Sequence, residues 1–139
     1  MEKTLADILQ ESSYTVLYFY PKDNTPGCTV QAQGYSELMK EFKNFGIQIL
    51  GCSSDNINSH HSFQTECELS IPLISDPDKS LIDQFGVFGE KNLYGKIVKT
   101  LIRSVFLLDS NGKIIQEWRN VRAKGNAAKI FREVQAIIV

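Results

Sequence analysis

A chain of 139 residues, 42% of them hydrophobic, suits one domain spanning 1–139 with a core that needs no disulfide support. Its formal charge of -1 and the lack of a long basic run give no electrostatic support for a nucleic-acid or anionic-membrane partner. Three cysteines, Cys28, Cys52 and Cys67, cannot all pair within one chain and are not a disulfide scaffold.

The opening "MEKTLADILQESSYTVLYFY" lacks the basic start, apolar block and small-residue cleavage site of a signal peptide. No apolar stretch is long enough to cross a bilayer. The expectation is a cytoplasmic protein in a reducing compartment. "YTVLYFY" (14–20), rich in β-branched and aromatic residues, predicts a buried strand. A Pro/Gly turn follows. From Cys28 to about Phe45 the residues Tyr35, Leu38, Met39, Phe42 and Phe45 recur at spacings of three and four, one face of a helix.

"IQILGC" (47–52) predicts a second strand, and Ser53, Ser54 or Asp55 can cap the helix after it, where Ile57, His60, Phe63 and Cys67 share a face. "IPLISD" (71–76) reads as a short strand and "KSLIDQFGV" (79–87) as a short helix ending near Gly86. "RSVFLLD" and "KIIQEW" flank an Asn-Gly turn signal and make a β-hairpin. "NAAKIFREVQAIIV" closes the chain as an amphipathic helix. The order β-α-β-α-β-α-β-β-α predicts an α/β or α+β sandwich, with no repeat and no linker.

The chemistry sits in "YPKDNTPGCTVQAQG" (20–34). A turn needs proline and glycine, but it does not need a cysteine where a helix begins. In the first turn of that helix the dipole and free N–H groups favour a thiolate, the nucleophilic form of Cys28. Thr25 can turn its hydroxyl toward the sulfur. Pro21 and Pro26 restrict the loop and shield the sulfur, and Gly27 lets the backbone approach an oxygen-rich ligand. By local physics alone a small buried packing cysteine fits equally well.

"YFYPKDNTPGCT" closely resembles the active-site segment of the peroxiredoxins, in particular the bacterioferritin-comigratory-protein, or peroxiredoxin Q, subfamily. The pattern Pro-x-x-x-Thr-x-x-Cys is matched by Pro21, Thr25 and Cys28, and the likeness continues through "ILGCSSD", "IPLISDPD", "FGVFGEKNLYGK", "IRSVFLLDSNGKI" and "WRNVRAKGNA". The resemblance implies a thioredoxin-like fold, a central mixed sheet flanked by helices. It also implies a thiol-dependent peroxidase acting on hydrogen peroxide and organic (alkyl) hydroperoxides, with no metal, haem, flavin or other cofactor. Cys28 would be the peroxidatic cysteine that becomes a sulfenic acid. Thr25 would bond the thiolate and the peroxide, Pro21 would close the pocket, and Arg103 in "LIRSVF" would hold thiolate and peroxide by charge. Backbone N–H groups near Gly27 and Cys28 would receive the charge on the leaving oxygen.

The chain departs from the family at several points. Gln33 stands where many relatives have a resolving cysteine, and Gln64 matches the position of an alternative one. Cys67, about one turn beyond Gln64, is the candidate resolving cysteine; its competing role is core packing beside Phe63, and Cys52 reads as core filler. A cycle resolved by an external thiol stands beside an internal Cys28–Cys67 disulfide, with thioredoxin, glutaredoxin or a small thiol as reductant. Asn126 replaces a common histidine after Gly125 and is given no catalytic role. The sequence starts almost at "TLADIL", where relatives have an earlier β-hairpin; its absence, natural or by truncation, is expected to expose a sheet edge or core surface and to favour self-association or lower stability, and the expected assembly is a monomer or weak homodimer.

Three rivals remain. Cys52, His60, His61 and Cys67 do not have a recognised zinc spacing, and the adjacent histidines, about 100° apart on a helix, read as surface or half-buried residues. "CTVQ" is not the C-x-x-C of a dithiol carrier. A degenerate relative acting as redox sensor or interaction module is the alternative to an enzyme; retention of Pro21, Thr25, Cys28 and Arg103 argues against it.

Overall fold

The computed structural model describes residues 5–138. Residues 1–4, ahead of which the hairpin expectation falls, and Val139, the end of the last predicted helix, lie outside them. The elements run α1 (Leu5–Leu9), β1 (Tyr14–Phe19), α2 (Pro26–Asn44), β2 (Ile47–Ser53), α3 (Ile57–Glu66), β3 (Leu73–Ser75) and α4 (Ser80–Phe85). Then come β4 (Phe88–Leu93), β5 (Lys96–Leu101), β6 (Ser104–Asp109), β7 (Ile114–Trp118) and α5 (Asn126–Ile138).

The main sheet has five strands in the order β3-β2-β1-β6-β7. β1 pairs in parallel with β2, from Tyr14 opposite Ile47 to Phe19 opposite Cys52. On its other side it pairs antiparallel with β6, from Tyr14 opposite Asp109 to Phe19 opposite Ser104. The sheet is therefore mixed, as expected. β1 is central because it can be apolar on both faces, and its period of two divides the core. Val16, Tyr18 and Tyr20 face one cluster with Ala32, Tyr35 and Phe42 of α2, Phe63 of α3, and Ile130 and Val134 of α5. Leu17 and Phe19 face the other, with Leu9 of α1, Ile82 and Phe85 of α4, and Phe106 of β6.

Strands β1, β2, β3, β6 and β7 and helices α2 to α5 fall where the sequence pattern predicts them, within two or three residues at their ends, whereas α1 is not among the predicted elements. One cap differs: α3 is capped by Asn56, whose side chain accepts from Ser59 N–H at 2.8 Å, rather than by Ser53, Ser54 or Asp55. The hairpin β4–β5 has no counterpart in the predicted order. "FGEKNL" and "KIVKTL" carry too little apolar alternation to announce strands, and the turn depends on positive φ at Tyr94 (52°) and Gly95 (80°). The β6–β7 hairpin forms, with an irregular register between Leu107 and Leu108.

The candidate site stretch, residues 20–34, begins in the connection from β1 to α2. Tyr20 N–H still reaches Cys52 C=O at 3.1 Å, extending the parallel pairing one residue past the strand. The chain then turns through Pro21–Thr25, with Asn24 at φ 60°, and enters α2 at Pro26. Proline suits this first helical position because its φ is already helical and it has no N–H to leave unpaired.

Candidate active site

Cys28 lies in the first turn of α2, on the face turned to the core, and is only 1% exposed. Thr29 N–H makes the first helical bond, to Thr25 C=O at 2.8 Å. The N–H groups of Gly27 and Cys28 precede it, so they have no acceptor within the helix and present partial positive charge at its end. Arg103, between β5 and β6, reaches across the sheet end and donates from Nη2 to Cys28 Sγ at 3.3 Å. The fold thus joins residues 75 apart in sequence. Gly27 leaves room for this approach: a Cβ there would lie 3.2 Å from Arg103 Nη2, a crowded contact, and 3.6 Å from the Ala123 Cβ.

The guanidinium is held from behind by Gln31, which no sequence motif singled out, and by Asn126, which was expected to have no catalytic role. Arg103 Nη1 donates to Gln31 Oε1 at 2.5 Å. Gln31 Nε2 donates to Asn126 Oδ1 at 2.9 Å, and Tyr35 Oη donates to the same oxygen at 2.8 Å. Gln31, Tyr35 and Asn126 are all buried. Gln31 lies one turn beyond Cys28 on the same face of α2, a spacing that would have marked it once Cys28 was chosen. Asn126 carried no such signal, since its partners lie more than 90 residues earlier.

Thr25 is the N-cap residue of α2, yet its side chain makes no capping bond. Its hydroxyl donates to Lys22 C=O at 3.0 Å. That bond closes the loop and leaves the oxygen's lone pairs free; to donate to a thiolate, the hydroxyl rotates away from Lys22. Pro21 is half-buried at the start of the loop.

A second polar cluster anchors this loop to α3. Asp23 is buried, and its carboxylate accepts from Tyr20 Oη at 2.6 Å, from Ser59 Oγ at 2.7 Å and from His60 Nδ1 at 2.7 Å. Its backbone N–H donates to Asp55 at 2.8 Å. His60 Nε2 faces Ile74 C=O at 3.0 Å. Both ring nitrogens therefore meet acceptors, an arrangement complete only when both carry protons. Burial pulls the His60 pKa down, but the bond to Asp23 outweighs it and raises the value above the ordinary one. Burial pushes Asp23 up, and the bonds from His60, Tyr20 and Ser59 outweigh that and hold it below the carboxylate norm. This corrects the expectation of a surface or half-buried His60: it is 3% exposed and a loop anchor, whereas His61 is exposed. No group of three or more His, Cys, Asp or Glu among the described residues is arranged to hold a metal ion.

The other two cysteines differ in setting. Cys52 is fully buried in β2 among apolar residues of the second cluster. Burial, with the nearby Asp76 charge, pushes its thiol far above the ordinary cysteine range. Cys67 is the C-cap residue of α3, half-buried, packed on the cluster that contains Cys28 and Phe63. Its Sγ lies 3.9 Å from Asn24 Oδ1 in the active-site loop. All three are free thiols in this structure. Gln64, at the alternative resolving position, donates instead to Ile71 C=O at 3.0 Å.

The profile of the AhpC/TSA family matches residues 1–117. Peroxiredoxin Bcp of Xanthomonas campestris pv. campestris is 42% identical over 123 residues, 88% of this chain and 77% of its own length. Peroxiredoxin Bcp of Bacillus subtilis is 35% identical over 125 residues, 90% of this chain and 80% of its own. Among solved structures, the bacterioferritin comigratory protein of Xanthomonas campestris, studied for alkyl peroxide reduction, superposes with a TM-score of 0.85 at 39% identity. That match covers 94% of this chain and 83% of the other. A cysteine-to-serine mutant of Xylella fastidiosa PrxQ superposes with a TM-score of 0.88 at 36% identity, over 96% of this chain and 82% of the other. With a family match over most of the chain, relatives about 40% identical and the same thioredoxin-like mixed sheet, this chain belongs to the AhpC/TSA family and is a peroxiredoxin of the Bcp, or peroxiredoxin Q, type.

Proposed function

We propose that the chain reduces hydrogen peroxide and alkyl hydroperoxides, with Cys28 as the peroxidatic residue. The observation that carries this reading is the Arg103 guanidinium 3.3 Å from Cys28 Sγ at the open end of α2. A thiolate there attacks the terminal oxygen of HO–OR. The S–O bond forms, the O–O bond breaks, Cys28 becomes a sulfenic acid, and the alkoxide or hydroxide leaves and takes a proton. Negative charge grows on the leaving oxygen, where Arg103 and the N–H groups of Gly27 and Cys28 supply donors in a site largely closed to water. Thr25 orients the peroxide once its hydroxyl leaves Lys22, and Pro21 narrows the entrance.

The sulfenic acid then condenses with a thiol to a disulfide and water. Cys67 is the internal candidate, supported by its place beside Asn24 at the edge of the active-site loop. Its pairing with Cys28 requires Cα atoms within about 7 Å, hence some unwinding of the first turn of α2 or the end of α3. An external protein or small thiol is the other route.

Peptide mapping after one equivalent of hydrogen peroxide, with a sulfenic-acid trap, tests the assignment. Cys28 is expected to react far faster than Cys52 and Cys67. Equal rates at all three thiols would overturn it. Continued peroxide consumption with dithiothreitol distinguishes an enzyme from a redox sensor, which takes up one equivalent and stops. A Cys67→Ser variant that still turns over unaltered with a protein dithiol assigns Cys67 to packing.

A further inference from the structure

Residues 118–132 include Arg119, Arg122, Lys124, Lys129 and Arg132 and no Asp or Glu, in a chain whose formal charge is -1. The fold gathers most of this charge around one surface pocket of about 530 Å³, between the end of β7 and the start of α5. Half-buried Trp118 and Val121 contribute apolar lining to it. Arg119 is held by the Phe85 and Gly86 carbonyls and by Glu117. Arg122, Lys124 and Lys129 are exposed, and among the described residues no ion pair engages them. Exposed cations without counter-charges attract an acidic surface, and cations beside apolar lining suit a protein docking site.

The pocket shares its wall with the reactive centre. Val121 N–H donates to Arg103 C=O at 2.9 Å, and Ala123 packs against Gly27. Asn126, which lines the pocket, holds the Gln31 that holds Arg103. A protein that brings a sulfur atom to Cys28 covers this rim as it does so.

We infer that the Trp118–Lys129 pocket is the docking surface for an acidic protein dithiol that reduces oxidised Cys28. The inference rests on the peroxidase reading above. In the docked complex one thiolate of the partner attacks the Cys28 sulfur, directly or as its disulfide with Cys67. From the sulfenic acid this forms a mixed disulfide and releases water; from the internal disulfide it releases Cys67. The partner's second thiol then displaces Cys28, so that the partner is oxidised to a disulfide and Cys28 returns as a thiol. The cations speed encounter and orient the partner; a small neutral thiol needs neither.

The test compares wild type with an Arg122→Glu, Lys124→Glu, Lys129→Glu triple variant. Peroxide turnover is measured with an acidic bacterial thioredoxin, kept reduced by its reductase and NADPH, and separately with dithiothreitol. The apparent KM for thioredoxin is expected to rise at least ~10-fold at low ionic strength and to converge with wild type near ~0.5 M salt. Dithiothreitol-supported turnover and the stopped-flow rate of Cys28 oxidation are expected to stay within ~2-fold, since surface changes of this kind leave the fold intact. An unchanged thioredoxin KM overturns the inference. So does a wild-type protein that turns over with dithiothreitol but not with thioredoxin. A slowed oxidation step also overturns it and assigns the pocket to an anionic peroxide. Absence of wild-type turnover with dithiothreitol defeats the peroxidase reading itself.

Discussion

Cys28 and Cys52 are both hidden, at 1% and 0% exposure, yet their surroundings are opposite. Cys28 ends on a helix terminus with two unpaired N–H groups and a guanidinium 3.3 Å away. Cys52 sits near the end of β2 among apolar side chains, with Asp76 as its charged neighbour and its thiol pushed up by burial. Equal burial thus leaves two different surroundings, and the proposed role of Cys28 rests on the donors aimed at its sulfur, which Cys52 does not have.

Removing Cys28 has the largest expected effect. A Cys28→Ser protein is expected to lose peroxide consumption to background, as read by peroxide loss with dithiothreitol. Arg103→Ala makes Cys28 resemble Cys52 more closely. It is expected to lower the second-order rate with peroxide by about 10²-fold, the usual cost of one aimed donor. Stopped-flow fluorescence checks this, and an unchanged rate removes Arg103 from the site. Asn126→Ala leaves Gln31 and Tyr35 without their shared acceptor and frees the support of Arg103. A loss of roughly tenfold in rate and about 2 kcal/mol in stability is expected, the latter from stranded buried donors.

The loop anchor sharpens the comparison through pH. The His60 pKa is raised in the folded state, so its contribution is full below the unfolded value of about 6.5 and fades as pH rises through the higher folded value. The Asp23 pKa is lowered, so its contribution is present above about 3.9 and fades as pH falls through the lower folded value. Thermal melts are expected to show this contribution between those limits and to lose it at alkaline pH. A His60→Gln protein is expected to show a flatter alkaline limb. The smallest effect belongs to Cys52→Ala: activity within ~2-fold of wild type and a cost of about 1 kcal/mol, the loss of a buried packing atom.

Periodicity was enough for much of the fold. The alternation and β-branched content of residues 14–20 mark the central strand, and the three-and-four spacing through Phe42 marks α2. The turn residues before Cys28 placed it at a helix start. Where apolar alternation is weak, as in β4–β5, the strands were not legible. Arg103 was legible only through resemblance to a family; nothing local distinguishes it from a solvated arginine at a strand end. Gln31 and Asn126 were invisible as a pair, and His60 was read as a surface or half-buried residue because its partner Asp23 lies 37 residues earlier.

From the sequence came the α/β order apart from α1 and the β4–β5 hairpin, the buried strand, and a cysteine delivered to a helix N-terminus. These follow from local preferences: side-chain period, turn chemistry and the fixed direction of a helix dipole. Tertiary structure alone decided that Arg103 meets Cys28, that Gln31 and Asn126 hold the guanidinium, that His60 locks onto Asp23, and that Cys67 comes to rest beside Asn24. Each of these contacts joins separate elements. Their geometry is set by strand order and helix packing across a shared core, which no window of neighbouring residues contains.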